Sequence, residues 1–197
     1  MKSLMALLLA VLLLSLSALA EEIDPTDPEL RVQLLEMMEL DQEVRRAGDG
    51  ERMLEVDARH AAQIRDMLEE RAWPGISEVG RDGAQAAWLL VQHADHDIEL
   101  QKKVLDILYE YLEEDEANPR NVAYLDDRVA VNESRPQKYG TQGRCREEGG
   151  WAPRELSDPN AVEGKRKSVG LNSLEDYMAR MQEFCPSPQD DYDETRK

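Results

Sequence analysis

The sequence has few of the residues on which common catalytic and metal-binding motifs depend. Its 197 residues include two cysteines and three histidines, and two cysteines are too few for a thiolate zinc site. The chain contains no Gly-x-Ser-x-Gly elbow, no His-Glu-x-x-His motif and no glycine loop of the phosphate-binding kind. Interpretations as a standard serine hydrolase, zinc protease or nucleotide-binding protein therefore lack support, and no particular cofactor is indicated.

Positive charge is also scarce. Lysine and arginine number 24 against 42 aspartates and glutamates, which gives a net charge of −18. Nucleic acid and anionic lipid would repel so acidic a protein. We interpret the acidity mainly as a source of solubility, and a basic binding partner is the alternative.

Long apolar runs are absent except at the N-terminus. Residues 4–16 form an apolar run interrupted only by Ser15, preceded by Lys2 and followed by Ala-Leu-Ala at 18–20. This order predicts a cleavable signal peptide over residues 1–20, since the run is shorter than the roughly 20 residues that span a bilayer. The alternative is an uncleaved membrane anchor. We therefore expect a periplasmic or secreted protein with no membrane span in its mature chain.

The two cysteines, Cys145 and Cys185, both follow the predicted cleavage site. Export would expose them to oxidising conditions, so we predict a disulfide. Closing a loop of about 40 residues would contribute roughly 3–4 kcal/mol in the chain-entropy model. Alternatively, both are free thiols, with Cys145 made reactive by Arg144 and Arg146.

Apolar residues recur at helical spacing through most of the chain, and no alternating run predicts a large sheet. We predict helices over 28–47, 51–72, 84–96, 98–112 and 119–129, and a last helix that follows Ser173. The third is apolar nearly all round, which places it in the middle of the domain. The prediction is an all-α, irregular bundle of about six helices over residues 21–185. A long polar loop occupies 131–172, with room for a short hairpin, and a disordered acidic tail covers 186–197.

The most informative stretch is Gln-His-Ala-Asp at 92–95. His93 shares the buried face of Leu89 and Leu90, and a buried histidine needs a hydrogen-bond partner. It could cross-link helices, act as a base or bind a ligand. Its spacing to His96 and Asp97 would also suit two metal ligands.

A metal site would need a third ligand, such as His60 or Asp57, and we predict none. Asp57 lies on the inward face of the second helix. On the first helix, Asp41 continues an apolar face and is spaced i,i+4 from Arg45. Taken alone, each of these carboxylates is best interpreted as part of an ordinary salt bridge between helices.

A second polar group follows the fifth helix. Gln137, Tyr139, Thr141 and Gln142 place several hydrogen-bonding side chains around Gly140, which permits a tight turn. Such a concentration either caps helices or meets a ligand, and the sequence leaves both interpretations open.

These residues, in this order, resemble a bacterial family of domains of unknown function numbered 6624. The likeness covers about residues 30–181, and its most specific parts are Gln-His-Ala-Asp at 92–95 and Tyr-Gly-Thr-Gln at 139–142. The other matching positions are Asp41-Gln42, Asp57, Trp73-Pro74, Val79-Gly80, Asp127-Arg128, Gln137, Asp158, Arg166 and Val169-Gly170-Leu171. The resemblance implies a bacterial source and a helical domain, but no activity.

We expect one polar pocket near His93, closed by the long loop. His93 would be the general base, Asp95 or Asp127 its orienting carboxylate, and Arg128 the anion holder. The ligand-binding residues would be Gln92, Gln137, Tyr139, Thr141 and Gln142.

With no redox or nucleotide motif, a hydrolase of the cell envelope is the default class, acting on a small molecule or an envelope component. One alternative is a non-catalytic acidic binding protein of the envelope. A third interpretation makes these motifs purely structural.

Overall fold

The computed structural model describes residues 24–147 and 149–185, and the predicted signal peptide and acidic tail lie outside them. The described chain is mostly helical and forms an irregular bundle, which confirms the predicted all-α class. The elements are α1 (Pro28–Ala47), α2 (Gly50–Glu70), α3 (Ile76–Gln92), α4 (Ile98–Glu113), α5 (Pro119–Asn132), β1 (Gly143–Cys145), β2 (Trp151–Pro153), α6 (Val162–Ser168), α7 (Leu174–Met181) and a 3-10 turn (Gln182–Phe184).

No helix in the described part of the chain is both long enough and apolar enough to cross a membrane.

Five of the helices begin at a side-chain cap. The capping side chains are those of Asp27, Asp49, Asp97, Asn118 and Ser173. Each accepts a hydrogen bond from a backbone N–H of the first turn that has no partner within the helix. These starts lie within one residue of the predicted ones, because a cap is a local feature of the sequence.

The third helix differs from its prediction at both ends. It begins at Ile76, eight residues before the predicted start, and ends at Gln92 instead of residue 96. A first turn is joined to the rest at Gly80, whose φ of 74° and ψ of 169° interrupt the helical backbone. Only glycine adopts such a conformation readily. The predicted loop over 76–83 is therefore a kinked helical segment.

Helix α3 lies in the middle of the bundle, as predicted. Arg31 bonds Asp82 near the starts of α1 and α3, and Asp41 bonds His93 near their ends, so these two helices run in the same direction. On the other side, Asn121 of α5 bonds Gln85 of α3. The fully buried residues Ala86, Ala87, Leu90 and Val91 fill the space between them.

The segment predicted as a long polar loop has structure of its own. Strands β1 and β2 pair antiparallel, with Cys145 opposite Trp151. Helix α6 was not predicted, and it raises the number of described α-helices to seven. Its sequence, Val-Glu-Gly-Lys-Arg-Lys-Ser, lacks an apolar repeat, and its inward residues are Val162 and Arg166.

The predicted disulfide is confirmed. Cys145 and Cys185 are joined across 40 positions of sequence, with 5.4 Å between their Cα atoms. The bond ties β1 to the end of the 3-10 turn that follows α7. It therefore fastens the C-terminal part of the described chain to the hairpin.

Candidate functional site

The site begins with a buried carboxylate on α1. Asp41 is 1% exposed and follows Leu34 and Met37 along the inward face of the helix. A carboxylate in such a place needs hydrogen bonds or a cation to offset the loss of water. Three side chains supply them: those of Gln42, Arg45 and His93.

His93 contacts Asp41 from the end of α3. Its ring Nδ1 lies 2.9 Å from Asp41 Oδ1 and 3.1 Å from Oδ2, and the side chain is 20% exposed. Asp41 is ionised, so Nδ1 must be the donor. In the neutral ring the proton is then on Nδ1, and Nε2 carries the free lone pair. No hydrogen bond to Nε2 occurs within the described residues.

Arg45 joins this pair to α2. Its Nη2 donates to both carboxylate oxygens of Asp57 at 3.0 Å, and its Nη1 forms an ion pair with Asp41 Oδ1 at 3.0 Å. Burial acts to raise the pKa of Asp41. The hydrogen bonds from His93 and Gln42 and the charges of His93 and Arg45 outweigh it, and the pKa lies below its ordinary value. Asp41 therefore remains a carboxylate at neutral pH.

His60 of α2 lies in the field of the same charged groups and is 2% exposed. Burial lowers its pKa, as does the charge of Arg59, while Asp41 and Asp57 act in the opposite direction. The ring is therefore neutral at neutral pH. Five buried side-chain atoms have no hydrogen-bond partner in the described part of the chain, and they include His60 Nδ1, Gln92 Oε1 and Arg45 Nη1, the last of which has only its ion pair with Asp41. Buried polar atoms without partners are uncommon and often mark a functional position. We call Asp41, Arg45, Asp57, His60 and His93 the His93 cluster.

Asp95 and Arg128 form a second group. Arg128 Nη1 donates to Asp95 Oδ2 at 2.9 Å, and Asn132 donates to Asp95 Oδ1 at 3.0 Å. The buried Gln101 accepts from Asn132 and donates to the Val91 carbonyl. These bonds fasten the end of α3 to α4 and α5. Because Asp95 follows His93 by two residues, Arg128 is held at the same end of α3 as His93.

Asp127 organises the loop that follows α5. Its carboxylate accepts from the backbone N–H groups of Lys138, Tyr139 and Thr141 and from the Thr141 hydroxyl, at 2.7–3.0 Å. Burial raises the pKa of Asp127, and these hydrogen bonds oppose the rise. All four partners are donors, so the loop binds the carboxylate form. Asp127 and Thr141 thus fix the backbone of the Tyr-Gly-Thr-Gln turn.

The remaining loop residues also bond within the protein. The Gln137 side-chain N–H₂ donates to the carbonyls of Gln142 and Arg154, and its side-chain oxygen Oε1 accepts from Gln142 N. The Tyr139 carbonyl accepts from Arg166 Nη1 at 2.6 Å. These contacts give Gln137, Thr141 and Gln142 structural roles in the loop, and their role in ligand binding stays a prediction.

The contacts therefore divide the predicted site residues into separate groups. Asp95 pairs with Arg128, and Asp127 holds the loop. Among the described residues, the carboxylate hydrogen-bonded to the His93 ring is that of Asp41. The carboxylate that orients His93 is Asp41, and neither Asp95 nor Asp127 takes that place. The sequence did contain the relevant pattern, since Asp41 and His93 both lie on apolar helix faces and both need a partner.

Two of the residues whose spacing to His93 would suit a metal site, His96 and Asp97, lie in other surroundings. Asp97 caps α4 through Leu100 N and pairs with Arg65, while His96 is exposed. Across residues 24–147 and 149–185, no three histidine, cysteine, aspartate or glutamate side chains are placed to hold a metal ion.

Comparison with known proteins identifies the family of this chain but assigns no activity to it. Neither a search of curated proteins nor a search of solved structures found a match. The sequence model of one family, described as a family of unknown function and designated DUF6624, matches residues 28–185. That range includes every helix described above, the His93 cluster, the Asp95–Arg128 pair and the Asp127 loop. The chain therefore belongs to the DUF6624 family.

Proposed function

We propose that this protein is an extracytoplasmic hydrolase in which His93, oriented by Asp41, acts as the general base. The observation that carries the proposal is the contact of 2.9 Å between His93 Nδ1 and a carboxylate that is 1% exposed. A buried carboxylate at Nδ1 fixes the tautomer and orientation of the ring and stabilises the imidazolium that forms during catalysis.

His93 transfers the proton in this reaction, and water is the nucleophile. Nε2 removes a proton from a water molecule as the water oxygen attacks the electrophilic carbon or phosphorus of an ester or amide. The proton then passes from Nε2 to the leaving group when the bond to that group breaks. Asp41 remains ionised throughout. Its low pKa supports this role, because a carboxylate that is difficult to protonate leaves the proton on the imidazole.

Arg128 is our candidate for holding the negative charge of the substrate or transition state. Its side chain is 29% exposed, and Asp95 holds it at the end of α3 that carries His93. Asp95 contacts it through Nη1 alone. A positioned guanidinium is a common means of stabilising developing negative charge.

Export is part of the proposal. The disulfide fits an oxidising compartment, where such bonds persist. The predicted signal peptide would deliver the protein there.

The test compares His93→Gln with His96→Gln. Each replacement removes one imidazole, and the two histidines lie three positions apart in the sequence. His96 is exposed and lies outside the His93 cluster. The mature protein and both variants would be assayed on chromogenic carboxylic esters, phosphate esters and peptides.

Loss of a general base costs about 10²–10⁴-fold in rate, so we expect His93→Gln to lose at least about a hundredfold while His96→Gln retains activity. Equal rates in the two variants would overturn the proposal, as would the absence of turnover by the wild-type protein across the panel.

A further inference from the structure

A cleft lies on the side of α3 that faces α5, away from the side on which His93 meets Asp41 of α1. It has a volume of about 340 Å³ and is formed by α3, the start of α5, and the region of α6 and α7. Three arginines, Arg120, Arg166 and Arg180, line it together with Trp88 and Tyr124. No aspartate or glutamate among the described residues lines it, although the whole chain carries 42 acidic residues.

None of the three arginines is paired directly with a carboxylate of the described residues, although the charges of Glu163 and Asp127 act on Arg166 from a distance. Within the described chain, none of the three has a carboxylate within salt-bridge distance. Arg166 is 1% exposed and donates to the carbonyls of Asn172 and Tyr139. The guanidinium carbons of Arg166 and Arg180 lie 5.1 and 5.8 Å from the centroid of the same ring, that of Tyr177. Each of these two guanidiniums therefore has a cation–π contact with Tyr177. With three arginines and no carboxylate in its lining, the cleft has a positive charge that an oxyanion would offset.

Unpaired donors line the same cleft. Trp88 is 8% exposed, and its indole N–H is buried with no acceptor within the described residues. A tryptophan N–H in such surroundings usually has a partner. The amide of Asn121 donates to the Gln85 side-chain oxygen at 2.8 Å, which leaves the amide N–H₂ of Gln85 as a further donor at the wall.

The cleft also lies at the N-terminus of α5. Asn118 caps that helix, and Asn118, Arg120 and Asn121 all line the cleft. The helix extends for 14 residues, and its aligned peptide dipoles place partial positive charge at this end. The helix, the guanidinium groups and the indole N–H therefore favour the same kind of ligand.

We propose that this cleft binds a small organic oxyanion, a phosphate ester or a carboxylate. The charged group lies between Arg120, Arg166 and Arg180, and the uncharged part lies against Trp88. Arginine suits this role because its planar N–H groups match the oxygens of both anions in pairs. A smaller pocket shares Trp88 with the cleft and is lined by Trp73 and Leu108, together with Arg81 and Glu116. Its apolar residues offer a surface to the uncharged part of the ligand.

The test is isothermal titration calorimetry of the mature protein with phenyl phosphate, benzoate and phenol. Phenyl phosphate represents the phosphate esters and benzoate the carboxylates, and the tighter binder identifies the source of the anion. Phenol presents the ring without the charge. Arg120→Gln and Arg180→Gln remove exposed guanidiniums, so the fold should survive both changes. Arg52→Gln is the matched control, because Arg52 is exposed on α2 and outside the cleft.

We expect one of the two anions to bind with a Kd below about 1 mM, phenol to bind at least tenfold more weakly, and each cleft variant to lose at least tenfold in affinity. These are the effects of losing one charge-assisted contact. The Trp88 indole N–H resonance, identified with Trp88→Phe, should shift when the anion binds. Any other result contradicts the proposal: no binding by either anion, equal binding by phenol, or an equal loss in Arg52→Gln.

Discussion

Asp41 and His93 lie 52 positions apart in the sequence, and a hydrogen bond of 2.9 Å joins them across the interface of α1 and α3. Each residue continues the apolar face of its helix, so burying the two helices against each other brings both polar groups out of water together. The pair is thus a consequence of helix packing, and it fixes which nitrogen of His93 carries the proton.

Replacing Asp41 with asparagine should destabilise the fold. The change removes the charge that faces both His93 and Arg45, and breaking a buried ion pair on one side costs about 3–5 kcal/mol. Arg45 retains Asp57, so we expect about 2–3 kcal/mol less free energy of unfolding, measured by urea denaturation at pH 7. Glu36→Gln, an exposed change on the same helix, is the control. Equal urea midpoints for the two variants would contradict the expectation.

The contribution of Asp41 should depend on pH. Its folded-state pKa lies below the ordinary value of 3.8. The stabilisation is therefore present above about pH 4 and is lost as the pH falls through the folded pKa. The difference in unfolding free energy between wild type and Asp41→Asn should narrow on acidification below about pH 4. If the difference in unfolding free energy widens below about pH 4, the pKa of Asp41 is not lowered in the folded protein.

His60 should make the protein less stable in mild acid. Burial holds the pKa of His60 below the ordinary value of 6.5. As the pH falls below 6.5, the unfolded chain therefore becomes protonated at His60 while the folded chain does not. Stability then falls by at most about 1.4 kcal/mol per pH unit for this one group. In urea denaturation at pH 7.5 and pH 5.5, His60→Gln should lose less stability on acidification than wild type. His96→Gln should behave as wild type, and a steeper loss in His60→Gln would refute the assignment.

Asp127 should be indispensable for the order of the loop after α5. Asp127→Ala leaves three backbone N–H groups and one hydroxyl without their acceptor, and each unsatisfied buried group costs about 1–3 kcal/mol. We expect a loss of at least about 3 kcal/mol and faster amide exchange at Lys138, Tyr139 and Thr141. Asp106→Ala, an exposed change on α4, should do neither. Unchanged protection of those amides in Asp127→Ala would contradict the role given to the carboxylate.

The disulfide should stabilise the protein without defining its fold. Replacing both Cys145 and Cys185 with serine opens a loop of 40 positions. The loss should be about 3–4 kcal/mol in the chain-entropy model, while the far-ultraviolet circular dichroism of the helices is preserved. A reductant should lower the melting temperature of wild type and leave the double variant unaffected. An identical melting temperature for both proteins would contradict this.

Much of the fold follows from local signals. The caps at Asp27, Asn118 and Ser173 and the apolar repeats that follow the first and last of them predict where helices begin. The start of α3 could not be predicted in this way, because Gly80 interrupts the pattern. Helix α6 could not be predicted either, since it has no apolar repeat and is held by the buried Arg166.

Less of the site could be predicted from the sequence, because its contacts join residues that are far apart in the chain. The positions of Asp41 and His93 on apolar faces indicate that each is buried and needs a partner, but helix direction and order decide that they meet. The choice between cap and ligand for Thr141 likewise depends on where Asp127 lies. The three arginines of the cleft beside Trp88 come from α5, α6 and α7 and share no sequence pattern.

The most direct test of the account is the tautomer of His93, read from long-range proton–nitrogen NMR correlations of protein labelled with ¹⁵N-histidine. His93→Gln identifies the resonances, and the pH is set so that the ring is neutral. We predict a protonated Nδ1 and a bare Nε2, because the ionised Asp41 can only accept. In Asp41→Asn this preference should weaken. A protonated Nε2 with a bare Nδ1 in the wild-type protein would contradict the Asp41–His93 contact and the general base built on it.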